Sequence, residues 1–570
     1  MAKKLVLAFV LLLIVGASIF AWQVNRASPP YYVTEEPLVN ELPPIYDTFE
    51  APPLFEHTTE TRAENLKKLA MVWGFTKYTH LAFISGEKCW DAELKQLIPI
   101  IYDAHPDDVN NILYEWFAEL GEDGYELEYA HDFVWANYNA VQIATLEGYE
   151  ANARHMYAIG MYTESHLEGW LYRLSPHFEF YAAIDAAGYE PNWPEFVTMW
   201  NEAFPGSPRA IAAEVHNLRA SLDFAWIDSG FLGEPLAARL LRFNGITAVD
   251  RSRAPVYFDG IANSVFSNQD RDRIIVNPDK NTRLLGLFRM WNAMLYFYPN
   301  LDIIDYCWHE SLLEYIPIML GGSDRDSYFS TLISLARRLD DAHIHIGSRL
   351  THRPFTGPVD HPGAASTQSH VLLENNIGLI NPARVWGDIP HIMEAFRDTD
   401  GLIIDLRQRP RSPITHELAE YLVEESTRFA VMSHPHQSFP GTFVYMQPYY
   451  SGGITSPYAF FYDRPVVILM NRVTMSQPEF AVMSLRNGKN VTVIGSNSIG
   501  ANGNAAFLPL PGGDEMMFTG LGVFTPEGGQ THRIGLSPDI YIVPSIESIR
   551  EGRDELMETA VRFILTGDPS

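Results

Sequence analysis

Ser476 is a residue whose type and position could carry chemistry. It lies between a short apolar run, Pro465–Met470, and a segment with helical spacing, Gln477–Leu485. This pattern predicts a serine at the start of a helix, beside N–H groups that lack intrahelical partners and at the positive end of the helix dipole. An oxyanion formed when a hydroxyl attacks a carbonyl would be stabilised there, so the position suits a nucleophile.

The same serine has a simpler interpretation. Ser476 and Glu479 are spaced as a capping box, in which the serine caps the helix and the glutamate reaches back to the backbone of the serine. Pro478 in the first turn suits an ordinary helix start equally well. Because capping is the common role of such a serine, the spacing alone leaves both interpretations open.

A strand–helix–strand unit positions Ser476. Pro465–Met470 and Asn490–Ile494 are short apolar runs with β-branched residues, typical of buried strands, and the helix separates them. Such a βαβ unit builds a parallel sheet. Similar runs at Asn376–Ile380 and Gly401–Asp405 predict an α/β region from about residue 372. Its predicted helices lie near Ile389–Phe396, Thr415–Glu425 and Arg553–Leu565.

The amino-terminal part of the chain contains an internal repeat. Residues 66–99 and 284–317 match at a constant offset. The matched residues are Trp73 and Trp291, Tyr78 and Tyr296, Cys89–Trp90 and Cys307–Trp308, Leu94 and Leu312, and Pro99 and Pro317. Apolar spacings of three and four predict helices in both copies. We expect the matched tryptophans and cysteines in core packing rather than in chemistry.

Length, charge and cysteine content limit the possible functions. A chain of 570 residues is too long for one core and indicates about two to four domains. The net charge is −29 with no basic cluster after Lys4, so nucleic-acid binding is not expected. Cys89 and Cys307 show no Cys/His spacing typical of zinc, and we expect no metal and no cofactor. A disulfide between the two cysteines stays open.

The N-terminus predicts export. Lys3 and Lys4 precede an uncharged apolar stretch, Leu5–Trp22, whose 18 residues approach the length that crosses a bilayer. We interpret this stretch as an uncleaved signal anchor, and cleavage near Val15-Gly16-Ala17 is the alternative. Either way, we expect the body of the protein on the periplasmic or extracellular side.

Several segments together resemble the tail-specific (C-terminal processing) serine protease family. They are NRVTMSQPEFAVMSLRN, VIGSNSIGANGN, FTGLGVFTPEGGQTHRIGLSPDIYI and IREGRDELMETAV. LDDAHIHI resembles the histidine segment of the tricorn-like branch, and WGFTKYTH resembles the helical N-terminal region of exported bacterial members. The resemblance implies an α/β fold with a crotonase- or ClpP-like ββα core, preceded by the α-helical region, and serine endopeptidase activity.

The resemblance also implies a catalytic pair. Ser476 matches the nucleophile and His343 matches the general base. A histidine titrates near neutrality, so it can take the serine proton and then give it to the leaving amine. The lysine of the Ser–Lys branch is replaced here by Ala501, which excludes that mechanism. His345 is a competing candidate on the same strand face, and a structural role for His343 is the alternative.

Two backbone N–H groups would bind the oxyanion. The first is that of Gln477, which follows the nucleophile. The second would come from the loop after Asp405, where Pro410 has no N–H to give, so Arg411 or Ser412 must supply it. Without such a donor the oxyanion hole would be incomplete.

The sequence offers several candidates for the group that orients His343. Gln530 stands where the resemblance implies an acid, and Glu527 and Asp341 are nearby in sequence. The residue before the histidine, often Ser or Thr in the family, is Ala342. Loss of an orienting acid slows a catalytic triad greatly without abolishing its activity.

These segments define the expected domains. They are a signal anchor at 1–25, a linker at 26–60, a helical region with the first repeat at 61–245, a second helical repeat ending in the histidine segment at 246–345, a loop at 346–371, and the protease α/β domain at 372–566. The loop replaces a PDZ domain, which would need about 80 residues. We therefore expect no special preference for free C-termini, with recognition by the aromatic-rich residues 125–240.

Two functions remain open from the sequence. The first is an exported, membrane-anchored serine endopeptidase that acts on peptides or unfolded protein chains. The second is an inactive relative that binds peptides in the same groove, which the departures at Ala342, Pro410 and Gln530 favour. The oligomeric state is not predicted.

Overall fold

The computed structural model describes residues 58–121, 218–241, 251–347 and 368–569, less residues 223, 260–261, 267, 269–274, 276, 413, 437–438, 447 and 454–458. The predicted anchor, nearly all of the linker, most of residues 125–240 and most of the predicted loop 346–371 lie outside the described residues. No helix within the described ranges is both long enough and apolar enough to cross a membrane.

Helices dominate the first part of the described chain. They are α1 Thr59–Thr79, α2 Leu81–Ile84, α3 Trp90–Asp103, α4 Pro106–Glu119, α5 Ser229–Leu232, α6 Glu234–Leu240, α7 Lys280–Phe297, α8 Trp308–Gly321 and α9 Arg325–Ala336. Their apolar faces share one core of buried Leu, Ile, Met, Phe and Trp side chains. Each fully buried side chain of this kind contributes roughly 1.5–3 kcal/mol to folding.

The two segments matched in sequence contain the same hydrogen bond. In each, a long buried helix is followed by a helix of 14 residues that begins after a cysteine. The indole N–H of Trp73 donates to the carbonyl of Trp90 at 2.8 Å, and that of Trp291 donates to the carbonyl of Trp308 at 2.9 Å. Cys89 and Cys307 are both exposed, and no disulfide joins them. Superposition of the two complete units stays a prediction.

Strands occur along the described chain, and from His370 onward they alternate with further helices. The strands are β1 Leu218–Ser221, β2 Tyr257–Phe258, β3 Ser264–Val265, β4 His345–Gly347, β5 His370–Leu372, β6 Ile377–Ile380, β7 Gly401–Asp405, β8 Thr427–Pro435, β9 Thr442–Tyr445, β10 Tyr449–Ser451, β11 Val466–Met470, β12 Val491–Gly495, β13 Ala505–Pro509, β14 Glu515–Thr519, β15 Gly522–Phe524 and β16 Ile540–Tyr541. The helices are α10 Ile389–Ala395, α11 Thr415–Leu422, α12 Gln477–Leu485, α13 Ile546–Glu551 and α14 Glu555–Thr566. The general α/β class is confirmed.

A six-stranded sheet positions the serine. Its order is β16–β12–β11–β7–β6–β5, and all neighbouring strands are parallel except β5 and β6. Strands β7 and β11 are buried along their whole length, because α11 and α12 contribute to the core on one face and α14 to the core on the other. Continuous apolar runs are typical of such strands. The βαβ prediction is confirmed, with α12 at the predicted bounds.

A smaller antiparallel sheet brings the histidine segment to the α/β region. Strand β14 pairs with β13 on one side and with β4 on the other. The chain enters β4 directly after the segment that carries Asp341 and His343. Strand β14 ends at Thr519, which places this residue beside that segment.

Candidate active site

Ser476 has an unusual backbone conformation at the start of α12. Its φ is 66° and its ψ is −124°, a combination that costs a non-glycine residue roughly 1–3 kcal/mol. An ordinary N-cap residue has extended dihedrals instead. Nucleophilic serines of α/β hydrolases are held on strained strand-to-helix turns of this kind. The capping box expected from the sequence is formed, but the backbone of Ser476 departs from that of a simple cap and suits a nucleophile.

The Glu479 carboxylate holds this turn in place. Its Oε2 accepts the N–H groups of Ser476 at 3.1 Å and Ala501 at 3.0 Å. Its Oε1 accepts the hydroxyl of Ser498 at 2.5 Å and the N–H of Gly500 at 2.9 Å. Burial raises the pKa of Glu479, and these four hydrogen bonds oppose the rise. One buried carboxylate thus ties the helix start to the loop that follows β12.

His343 is buried between two partners. Its Nδ1 lies 2.8 Å from the hydroxyl oxygen of Thr519 and 3.9 Å from Oδ1 of Asp341. Burial lowers the pKa of His343 from its usual 6.5, Arg409 lowers it further, and Asp341 opposes this. The ring is therefore neutral near pH 7, which is the state that a general base requires. His345 is exposed in β4, whereas His343 is buried and precedes that strand. The two histidines therefore do not share a strand face.

Hydrogen bonds connect the serine part of the site to the histidine part. The N–H of Arg533 donates to the carbonyl of Gly500 at 2.8 Å, in the loop that Glu479 holds. The guanidinium of the same arginine donates to Asp340 at 3.0 Å, next to the histidine segment. The charge of Arg409, from the loop after β7, lowers the pKa of His343. These interactions link the loop after β12, the segment that carries His343 and the loop after β7.

The structure does not support Arg411 as an oxyanion donor. Its N–H donates to the carbonyl of Pro382 at 3.0 Å, because the loop folds back on the 3₁₀ turn Pro382–Arg384. Gln477 is the first residue of α12, where an N–H has no intrahelical acceptor. Its side-chain amide donates to the carbonyl of Ser412 at 3.1 Å. This bond fixes the loop against the helix start and keeps Ser412 as the alternative donor.

Gln530 and Glu527 do not reach the histidine ring. The amide of Gln530 donates to Asn300 at 3.2 Å, and Glu527 is exposed in a turn. These residues lie in a turn that is closed by the bridge between Phe524 and Gln530. The carboxylate beside the ring is Asp341, the residue two positions before His343 in sequence.

Sequence reasoning missed Thr519 and His532. His532 is buried, and its Nε2 lies 2.9 Å from the hydroxyl of Tyr298. Burial lowers the pKa of His532, and the charges of Asp341 and His343 also act on it. His532 follows Gln530 by two residues and so lies in one of the segments that carry the family resemblance. Nothing in the sequence marks Thr519 except its place in the FTGLGV segment.

Comparison with known proteins identifies the region that carries Ser476. Residues 377–542 match the family model Peptidase family S41. The Carboxy-terminal-processing protease of Bartonella bacilliformis is 26% identical over 106 residues, which are 18% of this chain and 24% of that protein. The Carboxyl-terminal-processing protease of Synechocystis sp. is 23% identical over 173 residues, which are 30% of this chain and 38% of that protein.

These matches are partial. The chain spans about a quarter of one curated relative and over a third of the other. A solved structure from Parabacteroides merdae has a TM-score of 0.42 at 18% identity, and the match covers 51% of this chain and 98% of that one. The family match includes the segment that carries Ser476 and both loops that contact it, whereas His343 lies before its first residue. Residues 377–542 of this chain are therefore a domain of peptidase family S41.

Proposed function

We propose that this chain is a serine endopeptidase in which Ser476 is the nucleophile and His343 is the general base. The observation that carries the proposal is the backbone of Ser476, which has a φ of 66° at the N-terminus of a helix. Strain of this kind persists only where the surrounding structure enforces it. Glu479 provides that constraint through four hydrogen bonds.

The reaction follows the usual acyl-enzyme sequence. The Ser476 oxygen attacks the carbonyl carbon of the peptide bond, and His343 takes the hydroxyl proton. The resulting oxyanion is stabilised by N–H groups at the start of α12, including that of Gln477. His343 then gives the proton to the leaving amine as the C–N bond breaks. Water, activated by the same histidine, releases the acyl group and restores the serine.

Export and substrate class form part of the proposal. Lys3, Lys4 and the apolar stretch Leu5–Trp22 support an N-terminal membrane anchor with the body outside the cytoplasm. The names of the two curated relatives support a peptide or protein chain as the substrate.

A second candidate function is peptide binding without hydrolysis. The N–H of Arg411 is already donated to Pro382, so the loop after β7 presents one donor fewer to an oxyanion. Removal of a single oxyanion donor costs about 10²–10³ in kcat. If Ser412 does not replace it, the groove would retain a peptide but turn it over very slowly.

Labelling with a fluorophosphonate probe separates the two functions. We expect the full chain to be modified at Ser476, as located by mass spectrometry of the digested protein. His343→Gln should slow labelling by about 10²-fold or more, whereas His345→Gln, the matched control, should not. A folded wild-type chain that binds peptide but is not labelled would support the second function. Labelling at another serine would contradict both assignments.

A further inference from the structure

The hydroxyl of Thr519 lies between His343 and Asp341. Its oxygen is 2.8 Å from Nδ1 of the ring and 2.9 Å from Oδ1 of the carboxylate. The direct distance from Nδ1 to Oδ1 is 3.9 Å, which is too long for a hydrogen bond. The ring therefore meets the carboxylate through the threonine and not directly.

Counting protons fixes the direction of these bonds. An ionised carboxylate only accepts, so the single hydroxyl proton of Thr519 is donated to Asp341. The threonine oxygen then accepts from the ring, and Nδ1 of His343 must carry a hydrogen. Nε2 is left with a lone pair, which is the form that can take a proton from a serine.

Hydrogen bonds from two backbone N–H groups hold the three residues in place. Oδ1 of Asp341 accepts the N–H of His343 at 2.9 Å, and Oδ2 accepts the N–H of Thr519 at 2.8 Å. One carboxylate thus fixes both the histidine segment and the end of β14. All three residues are buried, so water does not compete strongly for these bonds.

We propose that Thr519 is a positioning residue that sets the tautomer of His343 and connects the ring to Asp341. The inference rests on the proposed function, because it assigns Thr519 a role in the same reaction. When His343 takes the serine proton, the ring becomes positive. The Nδ1–H then polarises the threonine hydroxyl, which strengthens the hydrogen bond from that hydroxyl to the carboxylate. An aspartate that bonds a histidine directly does this in the usual triad.

Other charged groups also face His343. Arg409, from the loop after β7, lowers the pKa of the ring. His532, which contacts the hydroxyl of Tyr298, interacts electrostatically with His343. Arg533 and Asp340 act on His532 in opposite directions. These groups are unchanged by substitution of Thr519, so a shift in the pKa of His343 would report the threonine connection.

The test uses Thr519→Val, which removes the hydroxyl at nearly constant volume, and Thr519→Ser, which keeps it. Turnover of a peptide and its pH profile are measured for the full chain. We expect the Val variant to lose about 10²–10³ in kcat and to show a lower apparent pKa on the acidic side. The Ser variant should restore both values to within a few fold of wild type. Asp341→Asn combined with Thr519→Val should lose no more than the worse single variant.

A second measurement does not depend on turnover. The pKa of His343 is followed by NMR on histidine-labelled protein, with its signal assigned from the His343→Gln spectrum. Thr519→Val should lower this pKa, because the protonated ring loses its acceptor. Thr399→Val is the matched control, since that buried hydroxyl bonds the carbonyl of Phe396 and the hydroxyl of Tyr462 instead. Thr519→Ala replaces the Val variant if the latter does not fold.

The outcomes separate this inference from the proposed function. If wild type is active, Ser476→Ala is inactive and Thr519→Val keeps both its kcat and the pKa of His343, the role of Thr519 is overturned while the nucleophile stands. If wild type is inactive but the pKa shift occurs, the connection stands while the proposed peptidase does not.

Discussion

Within the described part of the chain, Ser476 and Ser545 each precede a helix and have a glutamate as partner, but their settings differ. Ser545 precedes α13 with a φ of −68° and a ψ of 153°, and its hydroxyl oxygen accepts the N–H of Ser548 at 3.1 Å. Its own N–H donates to Glu555 at 2.7 Å. The N–H of Ser476 likewise donates to Glu479, so both serines share this partner chemistry.

Burial and backbone conformation separate the two sites. Ser545 is exposed and has ordinary dihedrals for an N-cap, and its hydrogen bond to Glu555 lowers the pKa of that surface carboxylate. Glu479 is buried, its pKa is raised by burial, and it holds a serine in a strained conformation. A serine–glutamate pair at a helix start is by itself evidence of a cap only. The strained backbone of Ser476, held by a buried carboxylate, is the feature that favours a catalytic role.

The largest expected difference between the two serines is in activity. Ser476→Ala should lower kcat/KM for a peptide by about 10⁴-fold or more, because it removes the nucleophile. Ser545→Ala should leave kcat/KM unchanged and lower the free energy of unfolding by about 1 kcal/mol, because it removes only a cap. Steady-state kinetics and urea unfolding of both variants check this. Equal kinetics for the two variants would remove the distinction.

Substitution of the two glutamates should lower the stability of the protein by different amounts. Glu479→Gln puts an amide NH₂ against N–H donors, so at least two buried donors lose their acceptor at about 1–3 kcal/mol each. We expect a loss of about 3 kcal/mol in the free energy of unfolding. Glu555→Gln, the matched substitution at the surface, should cost less than about 1 kcal/mol. Urea unfolding of both variants measures the difference, and equal losses would show that Glu479 does not constrain the site.

Sequence predicted local features of the site better than its long-range contacts. The bounds of α12 and the parallel pairing of β11 with β12 follow from continuous apolar runs and a start signal within 30 residues. The partner of His343 could not be found this way, because Thr519 lies 176 residues further along the chain. The contact exists only because β14 pairs with β4. The prediction of Arg411 as an oxyanion donor is not supported for a similar reason, since its N–H donates to the carbonyl of Pro382.

The smallest expected effect is also the most specific to backbone strain, and it concerns substitution of each serine by glycine. Glycine tolerates the φ of 66° at position 476, so Ser476→Gly should relieve roughly 1–3 kcal/mol of strain. Glycine also makes the unfolded chain more flexible, which costs about 0.4–1 kcal/mol. We therefore expect the inactive Ser476→Gly variant to be more stable than wild type by about 1 kcal/mol.

Ser545→Gly should change stability in the opposite direction. Its backbone is already relaxed, so glycine offers no relief and removes the hydroxyl that accepts from Ser548, a loss of a few tenths of a kcal/mol at an N-cap. Thermal unfolding of both glycine variants beside the two alanine variants separates strain from the lost hydroxyl, since alanine shares the second change but not the first. If Ser476→Gly were less stable than Ser476→Ala, the backbone at this position would not be strained, and the main argument for a nucleophile at Ser476 would fail.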